Sequence, residues 1–326
     1  MKIHQWLRAS AMLVACLACL QPAWGEGVWP TRPINYVVPY PAGGTTDLLA
    51  RLIAQKLGLA LGTTVVVVNK PGATGTIGSA YVAKASPDGY TLLGTSTGPH
   101  AIYPALSSKP AYDAIKDFQP VILVGTIPSV MIVSAQSPYR SVADVVQAAR
   151  AGPGTVKFAS GGTGTILQMS GELLALSTQT EMIHVPYKGD VPAIQDVMAG
   201  HVDFMFVPTS PVMPHIQAGK LRAIGIATEA RVPELPDVPT MIEQGQPDFI
   251  AEQWQGLFLP SGTPSDVVAR YNVEINRILA EPEVVERLAQ LGVTKIGGSP
   301  AVLADYQRAD IAKWVKVGQA SKISID

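Results

Sequence analysis

Thiols are all but missing from this chain of 326 residues: its two cysteines, Cys16 and Cys19, both fall within the first 25 positions. Once that stretch is removed, no disulfide, thiolate zinc site or cysteine nucleophile is possible, and stability must come from the core. Charge is sparse as well. Only 15% of residues are charged, the formal balance is −1, and no run of Lys or Arg occurs. Neutralising phosphates takes clustered cations, so a nucleic-acid surface is excluded, and so is a polybasic membrane patch. His100, His184, His201 and His215 show neither HxxxH nor HExxH spacing, which argues against a metal site. GxxxxGK[ST] is absent, and the GxxGxxG of 72–78 lacks the GxG that a dinucleotide turn requires, so no cofactor is expected.

What is present begins with a leader. Lys2 and Arg8 form a basic start, 9–20 is apolar, and Ala23-Trp24-Gly25 resembles a small-x-small cleavage site. The apolar part is about twelve residues, short of the roughly twenty a membrane span needs. Residues 1–25 are therefore expected to be a cleavable signal peptide that sends the chain to the periplasm. Leu13-Val14-Ala15-Cys16 offers a lipoprotein alternative. Cleavage at Gly25 removes two cations and leaves 22 Lys and Arg against 25 Asp and Glu, a net of −3.

At roughly 100–200 residues per domain, the remaining length allows two domains, each with its own core. Strand-like runs at 34–40, 64–68, 90–94, 156–160, 182–186, 202–207 and 221–227 alternate with amphipathic stretches at 47–57, 77–85, 142–150, 166–176 and 191–199. That alternation predicts an α/β fold with mostly parallel sheets flanked by helices. The longest helical signal runs over 264–292, with Pro264 suited to its first position and Gly292 to its end. Two segments about 120 residues apart resemble one another, each placing Gly-Gly-Thr between a strand and a helix. We read two related domains, 26–127 plus about 253–326 and 128–252, with crossings near 125–128 and within 228–255.

A helix N-terminus leaves N–H groups unpaired and carries partial positive charge, so a glycine-rich strand-to-helix turn can hold an anion without Lys or Arg. Gly43 and Gly44 permit close approach, and Thr45 or Thr46 can cap the helix or donate a hydroxyl; Gly161, Gly162, Thr163 and Thr165 offer the same set from the second domain. Facing one another, they would suit a ligand with two acidic ends. The same residues also serve tight turns chosen for geometry alone. Asp47 either stabilises the helix dipole, orders the 41–46 loop or meets a cationic group on a ligand. Tyr187 and Lys188 supply an aromatic wall and a cation at the end of a strand, the usual ligand position in open α/β sheets. Trp254 covers a cleft or fills a core.

Gly94-Thr-Ser-Thr-Gly98 matches GxSxG after a strand, the setting of a nucleophile elbow. Ser96 with Asp203 and His215, or with Asp190 and His201, would have the chain order of an exported serine hydrolase. The alternative role for Ser96 and Thr97 is hydroxyl donation to a bound ligand, with His100 directly after the turn.

Several motifs in order, WPTRPI, VVPYPAGGTTD, VVVVNKPGATGTIGSAYVAKASPDGYTLL, FASGGTGT, VPYKG, VDFMF, AGKLRAIGIAT, PDVPTMIEQG and WQGLFLPSGTP, resemble the Bug family of extracytoplasmic solute-binding proteins of tripartite tricarboxylate transporters. The resemblance runs from about residue 29 to the C-terminus. It implies a monomeric two-domain, type II Venus-flytrap receptor, without enzymatic activity, that closes around a small organic acid and meets membrane transporter subunits or a membrane sensor. In such proteins the ligand carboxylate sits between two first-domain turns, held by backbone N–H groups, hydroxyls and ordered waters. Here those turns map to 40–47 (Tyr40, Ala42, Gly43, Gly44, Thr45, Thr46, Asp47) and 96–100 (Ser96, Thr97, His100). The second-domain turns, Ser160 to Thr165 and Tyr187 to Gly189, would read the other end, with Asp203 nearby. The family's second turn often reads Ser/Thr-x-Thr-His, whereas this chain has Ser96-Thr97-Gly98-Pro99-His100, and Pro99 removes one donor.

Overall fold

Runs of Val, Ile and Leu bounded by Gly, Pro or Thr become strands, and stretches with apolar residues three and four apart become helices. In the computed structural model, which describes residues 29–325, the chain opens with β1 (Ile34–Val38), α1 (Thr45–Leu61), β2 (Val65–Asn69), α2 (Thr76–Ala83) and β3 (Thr91–Ser96). A π-helical turn (Gly98–Ile102) leads into the short α3 (Tyr103–Leu106) and β4 (Phe118–Ile127). Next come β5 (Ser129–Ser134), α4 (Val142–Ala151), β6 (Lys157–Ser160), α5 (Ile166–Thr178), β7 (Ile183–Pro186), α6 (Asp190–Ala199), β8 (Phe204–Pro208), α7 (Thr209–Gln217) and β9 (Leu221–Ile226). The chain returns through β10 (Gln253–Pro260), α8 (Ser265–Leu279), α9 (Pro282–Gln290), β11 (Thr294–Lys295) and α10 (Pro300–Ala320). The expected leader, 1–25, lies outside the described residues.

Two sheets result, ordered β11-β4-β10-β3-β1-β2 and β7-β6-β8-β5-β9. In the first, β1 runs parallel to β2 and β3, while β10 is antiparallel to β3 and β4. In the second, β6 runs parallel to β7 and β8, while β5 is antiparallel to β8 and β9. The sheets are built alike: β2-β1-β3-β10-β4 corresponds to β7-β6-β8-β5-β9. Each antiparallel strand follows directly on a crossing between sheets, β5 on the first and β10 on the second. Ala227 N–H donates to Ser129 O and Ala251 N–H to Ala227 O, so the crossings run side by side. It follows that the parallel strands of both sheets end toward the crossings. Their carboxyl-end turns face a common gap, which is where open α/β sheets bind ligands.

The expected helix over 264–292 is two helices. Glu281 is extended (φ −66, ψ 131) and Pro282 opens the second, because a proline ring excludes the helical conformation at the residue before it and supplies no N–H to the preceding turn. Strand β10 and helix α10 carry no clean period, and the sequence reading passed over both. Both are central: Trp254 of β10 is fully buried, and its indole N–H donates to Asp310 of α10 at 2.9 Å. Lys313 pairs with the same carboxylate at 2.7 Å and donates to Ile250 O, also at 2.7 Å, which pins the second crossing to the last helix. Ile325, beyond α10, packs against Gly164 at the start of α5. Among the described residues no helix is long and apolar enough to cross a membrane.

Candidate ligand-binding site

The first turn, between β1 and α1, is exposed over 41–44, and Gly43 has φ +90, a conformation that favours glycine. Its order comes from Asp47, which is 1% exposed. That carboxylate accepts from Gly43 N–H (2.9 Å), Arg51 (2.9 and 3.0 Å) and Asn69 Nδ2 (2.9 Å), and Asn69 also donates to Tyr40 O. Burial alone would raise the Asp47 carboxyl; Arg51, Gly43 and Asn69 outweigh it and hold it at about 2. Of the roles open to Asp47, the structure fills that of loop organiser: its oxygens are occupied within the protein and do not face a ligand cation.

Turning Asp47 inward leaves α1 open. Its N-cap is Gly44, which has no side chain to cap with, and the hydroxyl of Thr46 points elsewhere, donating to Gln255 Oε1 at 3.0 Å. The first-turn N–H groups of a 17-residue helix therefore have no side-chain acceptor among the described residues. Gln255, on β10 opposite Ser96, is 2% exposed, and its Nε2 finds no acceptor among the described residues. The sequence reading missed this residue. Nothing in EQWQGLFLP marks it; only the pairing of β10 against β3 brings an amide beside α1.

In the second turn, Ser96 Oγ and Tyr40 OH lie 2.6 Å apart, with Tyr40 half-buried and Ser96 fully buried. Burial pushes the phenol up to about 12, although the Ser96 bond opposes the shift. The partner of Ser96 is thus a tyrosine rather than the histidine a nucleophile elbow needs. Thr97 also belongs to the scaffold, its Oγ1 accepting from Trp254 N–H at 2.8 Å. His100 departs from expectation. It is fully buried, with ring centroids 4.6 Å from both Phe118 and Phe258, and neither ring nitrogen has a partner among the described residues. The π-helical turn carries it into the core, where burial pulls its pKa down to about 3 and keeps it neutral. Its ring faces Phe118 and Phe258 and not solvent. The nearby GxxGxxG is explained by packing: a side chain at Gly75 would strike Pro99 and Tyr40, and one at Gly78 would strike Pro39 and Lys70 O.

The second-lobe turns occupy the equivalent place, but their donors are used differently. Thr165 Oγ1 accepts from Gln168 N–H, and Gln168 Oε1 accepts from Gly164 N–H at 2.8 Å, closing the N-terminus of α5 on itself. Gly162 N–H goes to Ser160 Oγ. Ser160 Oγ also lies 2.6 Å from His184 Nε2, and burial lowers His184 to about 4. Tyr187 N–H to Ser160 O and Gly189 N–H to Gly161 O tie the two turns together. Tyr187 OH donates to Asp196 at 2.6 Å, while Thr163 and Lys188 are exposed. Asp203 is misplaced by the sequence reading: it precedes β8 and accepts from Lys157 N–H at 2.7 Å, at the amino end of β6, the edge opposite the turns. The second-lobe equivalent of the Ser96 turn is the β8–α7 junction, where Ser210 is exposed and Thr209 buried; the sequence reading did not single it out.

Two α/β lobes joined by paired crossings, with carboxyl-end turns facing one gap, define a two-lobed solute receptor. The chain belongs to the tripartite tricarboxylate transporter receptor family, whose model matches residues 49–322. A Pseudomonas sp. strain P51 protein from the tcbD-tcbE intergenic region is 44% identical over 89% of this chain and 86% of its own length. BugT of Bordetella pertussis is 34% identical over 97% of each. Among solved structures, an R. palustris protein with adipate is 35% identical with a TM-score of 0.76, over 91% of this chain and 99% of its own. MatC from Rhodopseudomonas palustris with bound malate is 35% identical with a TM-score of 0.74, over 89% and 99%.

Proposed function

We propose that the chain is an exported periplasmic receptor that binds a small organic acid between its lobes, 26–127 plus 253–326 and 128–252, and delivers it to membrane transporter subunits. The observation that carries this reading is the uncapped N-terminus of α1, beside an amide donor, Gln255 Nε2, with no acceptor of its own. A carboxylate placed there takes up both unmet needs, directly or through ordered water, and the helix dipole favours its charge. Tyr40 and Ser96 flank the same place with hydroxyls. The adipate and malate bound by relatives in solved structures support an acid as ligand. Closure is a hinge motion about the crossings, and an acid touching both lobes shifts that equilibrium by its preference for the closed state.

The test is calorimetric titration of refolded chain 26–326 with mono-, di- and tricarboxylates, alongside Gly44→Arg. Gly44 is exposed with open space at its α-carbon, so the arginine can be accommodated while obstructing the turn. At least one acid class should bind the wild type and not the variant. Equal affinity in both would remove the α1 turn from the site, and no binding by any acid would remove the receptor reading. Delivery is tested separately, by co-purification of the ligand-loaded chain with the membrane subunits.

A further inference from the structure

The two ends of the gap differ in their unpaired groups. At the first-lobe end donors are left over: the opening N–H groups of α1 and Gln255 Nε2 have no side-chain acceptor among the described residues. At the second-lobe end the N–H groups of Gly162, Gly164 and Gly189 and the hydroxyl of Tyr187 are all spent inside the protein. Beside the exposed Thr163 hydroxyl and Lys188 ammonium, an acceptor is left over there. Asp190 opens α6 directly after Gly189, and its Oδ1 occupies the space a side chain on Gly161 would need, against the turn itself. No hydrogen bond or ion pair satisfies that carboxylate among the described residues. Lys188, the cation of the same turn, makes no ion pair among the described residues and is exposed.

We infer that Asp190 is a specificity-determining residue: the receptor takes an acid whose far end presents hydrogen-bond donors, as an amine, amide or hydroxyl does, and discriminates against a second ionised carboxylate there. The inference rests on the proposed receptor function. Its physics is the desolvation of a carboxylate as the lobes close. A donor on the ligand satisfies Asp190, whereas another carboxylate would be brought beside a like charge in a gap losing its water. The paired Gly-Gly-Thr turns therefore bind a polar ligand, one end anionic and the other donor-bearing, not one with two acidic ends.

The experiment compares matched pairs, succinate with succinamate and adipate with adipamate, by calorimetric titration of refolded wild type, Asp190→Asn and Lys188→Met, each checked for folding by its melting curve. Both positions are exposed, and Asn keeps an acceptor of the same shape. Wild type should prefer a monoamide over its diacid by about 10-fold or more, and Asp190→Asn should shrink that preference to about 3-fold or less. Equal or tighter binding of a diacid by wild type, lost in Lys188→Met, would overturn the assignment, because the second carboxylate would then be held by the lysine, with the receptor reading intact. A preference unchanged in Asp190→Asn would overturn it as well. Failure of every probe, together with the wider acid panel, would count against the receptor reading itself.

Discussion

Thr46 and Gln255 stand 209 positions apart, and the hydroxyl of the first donates to Oε1 of the second at 3.0 Å. The bond fixes the amide so that its other end, Nε2, remains a donor without an acceptor beside the open end of α1.

Gln255→Leu should therefore weaken acid binding about 10- to 100-fold, the worth of a hydrogen bond to a charged group. Gln255→Glu keeps the acceptor for Thr46 but puts negative charge where the donor stood, so its loss should be larger. Titration of both variants with an acid that binds wild type measures this. Unchanged affinity in both would place Gln255 outside the site.

Asp47→Asn should loosen the 41–44 turn and reduce both stability and affinity, since Asn cannot accept equally from Gly43, Arg51 and Asn69. The Asp47 pKa is depressed in the fold to about 2, so its contribution is present above the unfolded value near 4 and is lost as pH falls from there through 2. Denaturant melts from pH 7 to pH 2 should show wild type more stable than the variant by on the order of 1–2 kcal/mol at neutral pH, with the gap closing at the acid end. A gap independent of pH would mean the carboxylate's charge is not what matters.

His100 gives the opposite test. Its folded pKa of about 3 lies below the unfolded value of 6.5, so the unfolded chain takes up a proton that the folded chain refuses. The contribution of this residue is fully present above pH 6.5 and is lost progressively as pH falls from 6.5 toward 3. His100→Phe should remove that component of the acid loss, fit among Phe118, Phe258 and Tyr112, and leave acid affinity within about 2-fold of wild type. A large loss of affinity would return His100 to the site.

What could be read from residues alone was local. Seven strands and five helices followed from apolar period and from Gly and Pro at their ends, and both Gly-Gly-Thr turns fell between a strand and a helix as expected. The long helix over 264–292 was overextended because apolar periodicity outweighed Pro282, which breaks it. Among the named site residues, Tyr40, Gly43, Gly44, Thr45, Thr46 and Ser96 gather around the end of α1, whereas His100 and Asp203 leave for the core and the far edge.

By itself the sequence determined the two related α/β halves and the charge-poor turns, because period, composition and turn residues act over a few positions. Only the tertiary structure decided that the paired turns are unequal. Whether a helix end is open depends on where Asp47, Thr165 and Gln168 direct their side chains, and on a strand from the far end of the chain bringing Gln255 beside α1. Hydrogen-bond bookkeeping of that kind closes across long sequence separations, and no spacing rule records it.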